Sequence, residues 1–138
     1  MKGLEAGDLL PSIDRVITQD QINLYAEASG DANPLHVDER QAAESQFGRT
    51  IAHGMLVAST VSELMSTAFN IGWLEGGRLK LRFRSPVFPG DRVTAYGVVK
   101  SVREREGRRE VVCTVGVRKQ SGEDAITGEA TARQPASP

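Results

Sequence analysis

The chain has 138 residues, with 17 basic and 18 acidic side chains and a formal net charge of −1, enough for one ordinary domain and without a field favouring nucleic acid or an anionic membrane. A single cysteine rules out an intrachain disulfide framework, and with two histidines beside it no closed zinc site of the usual kind can be built, so no metal is expected. Acids in the first eight residues break the apolar core that a secretory signal needs, which makes a reducing cytoplasm the expected compartment. Ile51 to Leu74 is the most apolar stretch, but Glu63 and several Ser and Thr interrupt it, so it reads as a buried helix rather than a membrane span.

Taken in chain order, Ile13 to Ile17 suits a strand, and Thr18 with Gln21 three places on has the form of a capping box. A first helix is expected from about Gln19 to Ser29, stopped by Gly30 and Pro34, with residues 30 to 37 as a loop. Asp38 with Gln41 signals a second, short helix bearing Ala42, Ala43 and Phe47 and ending at Gly48. The third helix should begin near His53 or Gly54, where the first two turns have hardly any polar face and must be wrapped by something. The alternation from Leu79 to Arg84 predicts a strand whose Leu79, Leu81 and Phe83 face that helix. Pro89-Gly90-Asp91 leads into a strand over Val93 to Val102, Glu106-Gly107 reads as a hairpin turn, and Val111 to Arg118 alternates again. Ser121-Gly122 then turns the chain into a last strand near Ala125 to Ala132. The plan is α+β, with helices first and four successive antiparallel strands after them, in one domain over residues 1–133 followed by a frayed tail at 134–138. Unpaired sheet edges and a small core favour pairing with a second copy, hence a homodimer.

The chemistry-bearing segment runs from Ser29 to His36 and places the acid Asp31, the amide Asn33 and the imidazole His36 on one short loop. Gly-Asp-Ala-Asn-Pro is also good turn material, His36 taken alone suits a structural or surface histidine, and His53 suits packing at a helix end. Read for function, Asp31 and His36 can share a water and Asn33 can orient it, which serves hydration of a double bond conjugated to a thioester. That reaction also needs somewhere for a developing oxyanion. The N–H groups at the start of the apolar helix, Gly54 first, provide it. No phosphate loop or dinucleotide fingerprint is present in the sequence, and the reaction needs no cofactor. Cys113, set among valines, reads as core. Most arginines read as solvated charge, with Arg82 or Arg84 as candidates for a coenzyme A phosphate.

Ser29-Gly30-Asp31-x-Asn33-Pro34-x-His36 followed by Ile51-Ala52-His53-Gly54-Met55 resembles the MaoC-like dehydratases, and among them the (R)-specific enoyl-CoA hydratases. Phe83 to Asp91 is similar to their segment entering the central strands, and the likeness extends from about Gly7 to Arg133. The resemblance implies a hot-dog fold, with a long central helix wrapped by a curved antiparallel sheet, and a dimer. It also implies a hydratase pair at Asp31 and His36, Asn33 beside their water, the thioester oxygen on the Gly54 N–H, and Ser62 near the site. Coenzyme A would enter as part of the substrate. The expected reaction is reversible hydration of a trans-2-enoyl-CoA to an (R)-3-hydroxyacyl-CoA. Two alternatives stay open: a 3-hydroxyacyl dehydratase acting on acyl carrier protein thioesters, and a non-catalytic hot-dog subunit of a heteromeric complex.

Overall fold

The computed structural model describes residues 3–135. In chain order it comprises β1 (Ile13–Val16), α1 (Gln19–Ser29), α2 (Pro34–Val37), α3 (Glu39–Ala42), α4 (Gly54–Phe69), α5 (Ile71–Gly76), β2 (Arg78–Phe83), β3 (Arg92–Arg105), β4 (Arg108–Lys119) and β5 (Asp124–Pro135). The five strands form one antiparallel sheet in the order β1-β3-β4-β5-β2.

The sheet closes on α4 because its inner face alternates as a period of two requires. Val93, Ala95 and Val99 of β3, Val111, Cys113, Val115 and Val117 of β4, and Ile126, Ala130 and Ala132 of β5 are all buried, and they meet Val57, Val61, Leu64, Met65 and Ala68 of α4. Each such Val or Leu contributes about 1.5–3 kcal/mol on burial, so the core lies between this helix and the three long strands. Small residues at the centre let the helix sit deep: a Cβ on Gly97 would lie 3.2 Å from a Leu64 methyl. Register slips at Val99/Ser101 and Val117/Arg118 are bulges that add curvature. Cys113 is fully buried, and desolvation pushes its thiol up to about 11, as suits core packing.

Several expectations from sequence hold residue by residue. Thr18 Oγ1 accepts from the Gln21 N–H while Gln21 Oε1 accepts from the Thr18 N–H, and Gly30 closes α1 in the left-handed region at φ 80°. The β3–β4 hairpin turns on Glu106 and Gly107, at φ 53° and 75°.

Four corrections follow. Residues 34–37 are one helical turn rather than loop, because Pro34 is preset for a first helical position and Asn33 caps it. β2 does not pair with β3 but crosses to the far side of the sheet against β5. As an edge strand it leaves Leu79 and Phe83 exposed, so of the three apolar residues only Leu81 packs on the core, while the Phe83 ring meets α4 at its first residue, Gly54. The strand β5 runs through Gln134 and Pro135, paired with Arg109 and Arg108, where a frayed tail was expected; the long β4 ladder holds it, and residues 136–138 lie outside the described residues.

The β2–β3 connection, residues 84–91, crosses the head of α4 and is sewn to its surroundings. Ala52 N–H donates to Val87 O, Arg84 N–H to Ala125 O, and Ile17 N–H to Asp91 O. Among the described residues no helix is long and apolar enough to cross a membrane.

Candidate active site

Local hydrogen bonds dictate the path between α1 and α4. Asn33 Oδ1 accepts from the Leu35 N–H at 3.0 Å, and Asp38 Oδ1 from the Arg40 and Gln41 N–H groups at 3.0 and 3.2 Å. Gln19 Nε2 donates to His36 O at 2.9 Å and Gln19 Oε1 accepts from the buried Thr50 hydroxyl at 2.8 Å, pinning the turn to α1. The turn then presents two groups. A carboxylate oxygen of Asp31 and a ring nitrogen of His36 lie within 4.8 Å of each other, together with a ring nitrogen of His53. A gap of this size can be bridged by two hydrogen bonds of about 2.8 Å each.

The tautomer of His36 follows from its partner. Nδ1 lies 2.8 Å from the carbonyl oxygen of Ile51, which can only accept, so Nδ1–H donates and the neutral ring keeps its lone pair on Nε2. Asp31 is exposed and His36 half-buried. The Asp31 carboxylate accepts one long bond, 3.4 Å, from the Asn33 N–H. Asn33 uses its oxygen as a cap, leaving its amide nitrogen as a free donor.

His36 and Gly54 both line a cleft of about 460 Å³ with mostly apolar walls, among them Phe47, Met55, Phe83, Pro86 and Val87. Gly54, which lines the cleft, opens the first turn of α4, where the N-cap His53 makes no side-chain cap bond, so the positive end of the helix dipole lies at this wall. A Cβ on Gly54 would stand 2.8 Å from Phe83 Cε1, so the ring covers this backbone only because the residue is glycine.

The remaining predicted residues fare differently. Arg84 lines the cleft and donates from Nε to Thr127 Oγ1 at 2.9 Å, whereas Arg82 is exposed on β2 away from it. Ser62 lies eight residues beyond Gly54, about 12 Å along the helix, accepts from Trp73 Nε1 at 3.1 Å, and is not among the residues lining the cleft. Sequence reasoning gave Phe47 to a helix and likened residues 83–91 to a family segment, but did not place Phe47, Ser85, Pro86 or Val87 at the site. The wall of residues 85–87 is braced by Asp91. Burial pushes its carboxyl up, but hydrogen bonds from Gln120 and the Phe88 N–H, together with the Lys119 ammonium at 3.3 Å, outweigh it and hold the group below its ordinary value. If a divalent ion were to enter, Asp31, His36 and His53 are the donors it would meet.

A long helix wrapped by a curved five-stranded antiparallel sheet is the hot-dog fold. The MaoC like domain family matches residues 5–121, and the chain belongs to that family. It is similar to an (R)-specific enoyl-CoA hydratase of Aeromonas caviae, 39% identical over 116 residues that make up 83% of this chain and 84% of that one. It is also similar to a mitochondrial 3-hydroxyacyl-[acyl-carrier-protein] dehydratase of Arabidopsis thaliana, 35% identical over 135 residues, 96% of this chain and 78% of the relative. The solved structure of the (R)-hydratase from A. caviae matches with a TM-score of 0.83 at 34% identity, covering 98% of this chain and 100% of that chain.

Proposed function

We propose that the chain catalyses the reversible hydration of a trans-2-enoyl-CoA to an (R)-3-hydroxyacyl-CoA, with Asp31 and His36 as the catalytic pair. The observation that carries this reading is the pairing of a carboxylate oxygen of Asp31 and an imidazole nitrogen of His36 within 4.8 Å, with His36 and Gly54, the first residue of α4, lining the same cleft. In hydration, the water oxygen bonds to C3 as the pair takes its proton. The C2=C3 electrons move onto the thioester oxygen, where the Gly54 N–H and the helix dipole stabilise them. The pair then returns a proton to C2, so its own proton count is unchanged over the cycle. The Asn33 amide is the group available to orient the water, and Arg84 is better placed than Arg82 for a coenzyme A phosphate. No cofactor is required beyond the coenzyme A of the substrate. We take the working unit to be a homodimer: the outer edge of β3 beyond Val99 has no partner strand among the described residues, and Met55, Leu79 and Phe83 are exposed apolar groups that a second copy would cover. The lone buried thiol suits a reducing cytoplasm.

A second reading has support of its own. The similarity to an acyl-carrier-protein dehydratase over 96% of the chain favours the same chemistry on a protein-bound thioester. The test is loss of the conjugated thioester absorbance on enoyl-CoAs and on enoyl-carrier-protein thioesters side by side, with chiral analysis of the hydroxy product. Faster turnover of CoA esters to the (R) product is expected. Preference for the carrier protein would select the second reading, and no turnover of either would overturn both.

A further inference from the structure

His53 takes no part in the reaction as written, yet it is built into the site from two directions. It occupies the position just before α4 where Ser, Thr, Asp or Asn ordinarily caps a helix, is 2% exposed, and makes no cap bond. Its Nε2 instead lies 2.8 Å from the carbonyl oxygen of Asp31, 22 residues earlier. That oxygen can only accept, so Nε2–H donates, and Nδ1 is left as a buried acceptor without a hydrogen bond. The imidazole face stacks on His36 with ring centroids 3.9 Å apart at 25°, and the Tyr25 ring of α1 leans on it at 4.8 Å and 56°.

These contacts matter because Asp31 has few others. Its N–H bonds Ser29 Oγ at 3.1 Å and its carboxylate accepts from the Asn33 N–H at 3.4 Å, both within two residues and both exposed. The bond from His53 is its one hydrogen bond to a distant part of the chain among the described residues. His36, by contrast, is already held by Ile51 and Gln19. We propose that His53 is a positioning residue: its Nε2–H, held beside the His36 ring on which it stacks, fixes the Asp31 backbone to the head of α4, and that bond sets the spacing between carboxylate and imidazole. The kinetic part of this inference rests on the hydratase reading above; the structural part does not.

Three measurements test it. His53→Phe keeps a ring for the stack and removes the donor, and kcat should fall about 10- to 100-fold with KM changed by less than about 3-fold. His53→Gln restores an N–H able to reach the same carbonyl, and should recover kcat to within about 5-fold of wild type. Because the chain has only two histidines, a long-range proton–nitrogen NMR spectrum of the unmodified protein resolves both rings, and it should show the proton on Nε2 in His53 and on Nδ1 in His36. Full kcat in His53→Phe, a Gln variant as slow as Phe, or a proton on Nδ1 of His53 each overturns the proposal. If the wild-type chain turns over no thioester, the hydratase reading fails while the tautomer spectrum still decides whether His53 donates to Asp31.

Discussion

The inner face of β3–β5 and the segment from Ser29 to Gly54 are held by opposite means. The sheet face is a run of fully buried Val, Ala and Ile against α4, redundant and non-directional. The Ser29–Gly54 segment has few buried side chains, and its shape comes from individual polar bonds: Asn33 to Leu35, Asp38 to Arg40, Gln19 to His36, His36 to Ile51. A substitution in the first region therefore lowers the stability of the whole while leaving the site's geometry in place. In the second it alters the site while hardly touching global stability. The proposed catalytic pair sits where geometry can be set one bond at a time.

The largest expected effect sharpens that contrast from the functional side. Asp31→Asn and His36→Ala should each lower kcat by about 100- to 10,000-fold, with Tm within a few degrees of wild type because neither side chain is in the core. Paired calorimetry and turnover assays check this, and a large fall in Tm would break the division between the two regions. From the other side, Leu64→Ala should cost about 3–5 kcal/mol in denaturant unfolding, since Leu64 is 1% exposed at the centre of α4, while kcat per folded molecule stays near wild type.

Gly54 stands on the border between the regions, and Gly54→Ala should lower kcat/KM about 10-fold as the new methyl displaces the Phe83 ring into the cleft. Steady-state kinetics on the double variant with Phe83→Leu should recover part of that loss; additive losses would show that the ring is not the obstacle. The smallest effect concerns the wall. Asp91→Asn should cost about 1 kcal/mol at neutral pH, because it loses the Lys119 contact at a mostly buried position. The folded state holds this carboxyl below its unfolded value, so the gap between wild type and variant is fully present above about pH 4 and closes as acid titrates through the lowered folded value. Unfolding curves at several pH values read it directly.

Much of this was legible without coordinates, for reasons that differ by element. The capping box at Thr18 and Gln21, the αL stop at Gly30 and the Glu106-Gly107 hairpin are local bonding rules, and each appears where its residues stand. Asp31, Asn33 and His36 stood out because three polar groups fell within six residues next to a turn. What could not be read was which surfaces meet. Alternation marked Leu79, Leu81 and Phe83 as one face, but not that β2 would lie at the far edge against β5 with two of the three exposed. His53 looked like a packing residue until its ring was found between Tyr25, Asp31 and His36.

The amino-acid order by itself determined the first and the long apolar helix, the existence of the five strands, the turns and the clustering of Asp31, Asn33 and His36, since these depend on dihedral preferences, apolar periodicity and hydrogen bonds that close within a few residues. Strand order, the cleft wall from residues 84–91, the tautomer of His36 and the role open to His53 were decided only by tertiary structure. Each depends on a partner 15 or more residues away, such as Ile51 O for His36 Nδ1, and no local pattern carries the information about which distant carbonyl will arrive.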